Sequence, residues 1–168
     1  MAPDELLRRR STSLEELRKL SGDGTLYAIV DACHEPEVPP KMAGLPHDRM
    51  SCLHQGRLTE EEAAVAPYLV TLDGDLLDWV LSTFEDRPWG LFVVAKCDHR
   101  TLRQHLRELM VVEGIDGRPM YFFFYNPQVL GPFLETCDAE ELEGLYGPIM
   151  AWGLRSQGED PVELIIRA

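Results

Sequence analysis

The sequence lacks several features that would assign it to a large functional class. No run of apolar residues approaches the roughly 18 that a membrane-spanning helix needs. The first residues, MAPDELLRRR, hold no apolar core of the length that a signal peptide requires, so we expect a cytoplasmic protein. Positive charge is also scarce, because 16 Lys and Arg face 29 Asp and Glu for a net charge of −13. That balance argues against binding to nucleic acid and against docking on an anionic membrane.

Motifs for nucleotide binding and covalent catalysis are absent from the sequence as well. The chain has no phosphate-binding GxxxxGK[ST] loop, no GxGxxG, and no GxSxG turn that would expose a serine nucleophile. Cys33 and His34 are adjacent, and neighbouring side chains of an extended segment point in different directions, so they make a poor catalytic dyad. We therefore expect no catalytic residue and no cofactor.

The four cysteines are far apart and form no CxxC pair, which favours free thiols over a disulfide framework. Each of three cysteines has a histidine within two residues, and such side chains bind zinc when four of them converge. None of the pairs has the spacing of a zinc ribbon or finger, so we expect no metal site. The pairs are Cys33 with His34, Cys52 with His54, and Cys97 with His99.

Apolar residues make up 45% of the chain, enough for the core of one domain. Short apolar runs predict core strands at 25–30, 67–72, 89–95 and 120–125. Amphipathic or capped segments predict helices at about 13–20, 99–110, 127–135 and 139–146, with two further strands at 148–154 and 161–166. The alternation of strand and helix predicts an α/β fold, a single domain whose central sheet is mixed or mostly parallel and is flanked by helices.

Within that domain we distinguish three parts. Residues 1–24 form a lead-in and a short helix, residues 25–150 the α/β domain proper, and residues 151–168 a strand or hairpin that extends the same domain.

Polar residues follow the apolar strands at Asp31, Asp73, Asp98 and Asn126. Open α/β folds bind ligands outside the carboxyl ends of their strands, so converging carboxylates there would hold Mg²⁺ or act as nucleophile and base. The simpler interpretation is local, since Asp73, Asp98 and Asn126 stand where the next helix needs an N-cap. We favour capping. The alternative is a small metal-assisted hydrolase or phosphoryl-transfer enzyme.

Charge is strongly polarised along the chain. Residues 59–86 carry eight acids and neither Lys nor Arg, whereas Arg100, Arg103 and Arg107 recur at helical spacing opposite a leucine stripe. Such a row is either a solvated helix face or a guanidinium surface that binds a partner's carboxylates. Trp79 and Trp89 belong either to the core, which we favour, or to an interface.

Five segments, which follow one another in a fixed order, resemble a known protein family. They are LYAIVDA at 26–32, APYLV at 66–70, WGL at 89–91, LRQHLR at 102–107 and FYNPQVL at 124–130. The series is similar to the domain of unknown function 4123, the adaptor or chaperone family of bacterial type VI secretion. The similarity extends over about residues 25–150.

The resemblance implies a non-catalytic cytoplasmic protein that binds a cognate toxin effector and helps load it onto the VgrG spike, itself a second candidate partner. The family pattern Arg-aromatic-aromatic-Asp-Pro-Arg is replaced here by FFYNPQ at 123–128, so its two arginines and its aspartate are absent. We expect the partner to be bound by the arginine row and by the corner that follows the aromatic run. These residues are Arg100, Arg103, Arg107, Tyr125, Asn126, Pro127 and Gln128.

Overall fold

The computed structural model describes residues 3–84, 90–156 and 158–168. The strands are β1 Leu7–Thr12, β2 Leu26–Asp31, β3 Met50–Cys52, β4 Pro67–Thr71, β5 Gly90–Ala95, β6 Val111–Glu113, β7 Pro119–Tyr121, β8 Ile149–Arg155 and β9 Val162–Arg167. The helices are α1 Pro3–Leu6, α2 Leu14–Gly22, α3 Val38–Met42, α4 Glu60–Ala64, α5 Gly74–Phe84, α6 His99–Leu109, α7 Pro127–Thr136 and α8 Ala139–Tyr146. None of the helices described is both long enough and apolar enough to cross a membrane.

The central sheet has seven strands in the order β1-β9-β8-β5-β2-β4-β3, and every neighbouring pair runs antiparallel. The fold is α/β as predicted, but the prediction of a mixed or mostly parallel sheet is wrong. β6 and β7 form a separate antiparallel hairpin outside this sheet.

The direction of the strands was misjudged because strands that a helix connects are not neighbours here. α5 joins β4 to β5, and these two strands do run in the same direction. β2 lies between them, however, and pairs antiparallel with both. The continuous apolar runs did not reveal this, because they indicate burial on both faces of a sheet, whatever the direction of its strands.

Helices cover both faces of the sheet and make two cores. Ala28 and Val30 of β2 point to one face, where they pack with residues of α2 and α5. Tyr27 and Ile29 point to the opposite face, where α6, α7 and α8 cover them. Successive side chains of a strand alternate between faces, so a two-sided cover accounts for a strand that is apolar at every position.

Two segments differ from the predicted elements. Leu7–Thr12, which we assigned to the lead-in, is the edge strand β1 and pairs with β9 near the other end of the chain. Its sequence, LRRRST, has no apolar alternation, which a solvent-exposed edge strand does not need. The predicted core strand at 120–125 is also wrong, because only Pro119–Tyr121 is extended and it belongs to the separate hairpin.

The caps predicted at Asp98 and Asn126 are confirmed, whereas the carboxylate of Asp73, the third predicted cap, pairs with Arg49. The Asp98 carboxylate accepts a hydrogen bond of 2.7 Å from the Thr101 amide at the start of α6. The Asn126 side chain accepts one of 2.9 Å from the Gln128 amide at the start of α7. These caps fix where the two helices begin, because they satisfy amides that have no partner within the helix.

Candidate functional site

The carboxylates that follow the strands do not converge. β2 runs antiparallel to β4 and β5, so Asp31 lies beside the beginnings of those two strands, while Asp73 and Asp98 follow their ends at the opposite side of the sheet. Asp31 accepts a hydrogen bond of 3.0 Å from the Cys33 amide, and Asp73 pairs with Arg49. The geometry that a hydrolase built on these acids would need is therefore not formed.

The cysteine and histidine pairs are dispersed in the same way. Cys52 ends β3 beside the beginning of β4, the same end of the strands at which Asp31 lies. Cys97 follows β5 at the opposite end of the strands. Both ring nitrogens of His99 lie 2.7 Å from a hydroxyl, that of Ser51 or that of Thr71. Across the described ranges, no three His, Cys, Asp or Glu side chains are grouped so that they could hold a metal ion.

The three arginines of α6 line a shallow groove of about 330 Å³. Arg100 is exposed, and Arg103 and Arg107 are half-buried. The remaining lining residues are Gln55, Gln104 and Glu108. We call this surface, with its three guanidinium groups and one carboxylate, the arginine groove.

The three guanidinium groups of the arginine groove form no close ion pair with the one carboxylate that lines it, that of Glu108. Considering only residues that the structure describes, no salt bridge involves Arg100, Arg103 or Arg107. Burial lowers the pKa of the Arg107 guanidinium, and repulsion from Arg103 lowers it further. A carboxylate from a partner would reduce this repulsion and would accept two parallel hydrogen bonds from one planar guanidinium group.

The hairpin formed by β6 and β7 exposes apolar side chains on both of its faces. Val111, 57% exposed, is paired with Tyr121, and on the other face Val112 is paired with Met120, 55% exposed. Phe123 follows β7 and is 51% exposed, with its ring centroid 4.5 Å from that of Tyr121. We call Val111, Tyr121 and Phe123 the aromatic face of the hairpin.

The loop after β3 connects the arginine groove to this aromatic face. Arg107 donates a hydrogen bond of 2.9 Å from Nη2 to the carbonyl oxygen of Cys52. Two residues further on, the His54 Nε2 lies 2.8 Å from the Tyr121 hydroxyl, and Gln55 lines the arginine groove. The charged and the apolar surface therefore share one wall and are continuous.

The corner at 125–128 plays a structural part. Tyr125 is buried, with its hydroxyl 3.4 Å from that of Tyr121, and burial strongly raises its pKa. Asn126 caps α7, Pro127 is the first residue of that helix, and Gln128 is exposed. Of the expected partner-binding residues, the structure groups the three arginines in one groove. Tyr125 and Asn126 instead make contacts within the protein, with Tyr121 and with the start of α7.

Of the two tryptophans that the sequence analysis singled out, only Trp79 lies in the described part of the chain. Trp79 packs against the core, as we favoured on sequence grounds, but is only half-buried, and the Lys41 ammonium lies 5.7 Å from its ring centroid. Trp89 lies outside the described residues.

Sequence analysis did not recognise the aromatic face of the hairpin. The signal was present, because apolar pairs flank the turn sequence GIDG at 114–117, and such a turn between apolar runs is typical of a hairpin. We ended the predicted helix at residue 110, assigned Val111 and Val112 to no element, and assigned the second run to a core strand at 120–125.

With this geometry established, a comparison with known protein families becomes informative. Residues 26–144 match the family described as "Domain of unknown function (DUF4123)", well over half of the chain. The chain belongs to the DUF4123 family. The matched region begins at β2 and ends within α8, so the DUF4123 region contains both the arginine groove and the aromatic face. No curated protein and no solved structure matches the chain.

Proposed function

We propose that this DUF4123 protein is a non-catalytic adaptor that binds a type VI secretion effector in the cytoplasm and helps load it onto the VgrG spike. The proposal rests on the resemblance of this sequence to a family of such adaptors and on one observation of the structure. That observation is the arginine groove, a basic surface in a chain of net charge −13 whose three guanidinium groups form no salt bridge within the described residues.

The physical argument is that the guanidinium groups of the arginine groove remain available to bind carboxylates of a partner. Guanidinium groups on a folded surface are usually solvated or paired with local acids. A row of three that are exposed or half-buried, separated by about one helical turn each, is suited to a partner's carboxylates. The strong negative charge elsewhere does not prevent this, because charges more than about 8 Å away are screened at physiological salt. Affinity then depends on the groove and its immediate surroundings.

The test begins with affinity purification of the tagged protein from the producing bacterium, with mass spectrometry to identify what is retained. We expect one toxin-like protein, with or without VgrG. The purified pair should then form a one-to-one complex, and Arg103→Glu should weaken it by roughly tenfold or more, with a larger effect at low salt.

Arg8→Glu is the matched control. It makes the same charge change on an exposed arginine of β1, at the opposite edge of the sheet from β3. It should leave the affinity within about twofold of the wild-type value. Recovery of no specific protein at low salt would contradict the proposed function, whereas equal effects of the two substitutions would remove the arginine groove from the interface.

A further inference from the structure

The aromatic face of the hairpin is exposed, and no other residue that the structure describes covers it. Val111 and Phe123 are each more than half exposed, although apolar side chains of this size gain free energy when they leave water. A group of such side chains on a protruding hairpin is typical of a protein-interaction surface.

This face is also held rigid. The Tyr121 hydroxyl lies within hydrogen-bond reach of His54 on one side and of the buried Tyr125 on the other, at 2.8 and 3.4 Å. The rings of His54 and Phe123 contact that of Tyr121, with centroids 6.1 and 4.5 Å away. A fixed ring loses little side-chain entropy when a partner covers it, which favours affinity.

We propose that one extended segment of the partner occupies both surfaces, with carboxylates in the arginine groove and aliphatic or aromatic side chains on the aromatic face. This inference rests on the proposed function, whose partner it describes in chemical terms. The shared wall from Cys52 to Gln55 leaves the two surfaces adjacent, so a single stretch of chain reaches both.

The dimensions of the two surfaces set the length of that segment. Arg100 and Arg107 are separated by about 10 Å along α6, and β6 begins one helical turn later. An extended chain advances about 3.3 Å per residue, so about five residues span the roughly 16 Å from Arg100 to Val111, and a slightly longer segment covers both surfaces. We expect two or more Asp or Glu at one end of the segment and an apolar anchor at the other.

The experiment selects binding peptides from a random phage-displayed library of about twelve residues per member, a length that covers both surfaces. Enriched peptides are synthesised with a fluorescent label, and their affinity is measured by anisotropy. We expect them to combine acidic with aliphatic or aromatic residues. Arg103→Glu and Phe123→Ser should each weaken binding by roughly tenfold.

Two control variants match these changes elsewhere on the surface. Met120→Ser removes an equally exposed apolar side chain from the opposite face of the same hairpin. Arg8→Glu repeats the charge reversal at the far edge of the sheet. Both should leave the peptide affinity within about twofold, as isolated surface changes usually do.

Several results would overturn the inference. Enrichment of no peptide would do so, as would peptides without carboxylates, or peptides sensitive to Arg103→Glu but not to Phe123→Ser. Self-association of the protein that Phe123→Ser abolishes would identify a second copy of this chain as the occupant instead. If the purified effector binds but neither variant changes its affinity, the proposed function stands and this inference is wrong.

Discussion

The His99 Nε2 lies 2.7 Å from the Ser51 hydroxyl, which joins the first residue of α6 to the edge strand β3. The other ring nitrogen lies 2.7 Å from the Thr71 hydroxyl at the end of β4. One buried imidazole thus connects α6 to two neighbouring strands and fixes where the row of arginines begins.

We expect this imidazole to make stability depend on pH. Burial lowers the pKa of His99 to about 4, with Arg103 adding to the effect and Asp48 and Asp98 opposing it. The unfolded chain keeps the ordinary value of 6.5, so it binds the proton more readily than the folded protein. The contribution of His99 is therefore fully present above about pH 6.5 and is lost as the pH falls towards 4.

The measurement is the free energy of unfolding from urea denaturation at several pH values between about 4 and 7. The variant His99→Gln keeps the ability to hydrogen-bond both hydroxyls but does not titrate. Over this range the wild-type protein should lose roughly 3 kcal/mol more than the variant. Parallel curves for the two proteins would show that His99 does not stay neutral in the folded state.

We expect Arg107 to differ from its neighbours in the arginine groove. Its hydrogen bond to the Cys52 carbonyl attaches α6 to the end of β3, whereas Arg100 is exposed and makes no such contact with a described residue. Arg107→Ala should reduce the free energy of unfolding by about 1–2 kcal/mol, and Arg100→Ala by less than about 0.5 kcal/mol. Equal losses in thermal or urea unfolding would assign Arg107 to the partner surface alone.

We expect Gly147 to be intolerant of a side chain. It follows α8 with φ +47, a conformation that L residues rarely adopt, and a Cβ there would clash with the His105 ring. Gly147→Ala should therefore cost about 2 kcal/mol or more of stability. Gly144→Ala is the matched control, because that glycine lies within α8 with open space around it, and it should stabilise by about 0.5–1 kcal/mol.

We expect divalent cations to leave the melting temperature unchanged. The carboxylates of Asp31 and Asp98 follow antiparallel strands and therefore lie at opposite ends of those strands. Each already accepts a hydrogen bond from a backbone amide. Thermal unfolding with and without Mg²⁺, Mn²⁺ or Zn²⁺ is the measurement. An increase in melting temperature that Asp31→Asn abolishes would restore the metal-assisted enzyme as a candidate.

The sequence was most informative where structure depends on neighbouring residues. The caps at Asp98 and Asn126 and the leucine stripe of α6 are local, so the bounds of α6 and α7 were close to those observed. The arginine row was recognised for the same reason, since residues three and four apart share a helix face.

The same local patterns failed where distant segments meet. The apolar run at 120–125 has the composition of a core strand, but only its first two residues, Met120 and Tyr121, are extended. Together with Pro119 they pair with Val111–Glu113 outside the main sheet. The local sequence did not predict β1, because this strand pairs with β9, which comes from the opposite end of the chain.

Composition, capping residues and apolar periodicity thus determined the α/β class, the positions of most helices and core strands, and the helical row of arginines. The tertiary structure decided the direction of each neighbouring strand, the separation of Asp31 from Asp73 and Asp98, and the junction of the arginine groove with the aromatic face. The physical reason is that a strand buried on both faces has the same apolar sequence whichever way its neighbours run. Contacts between distant residues follow from that choice of neighbours and not from any local pattern.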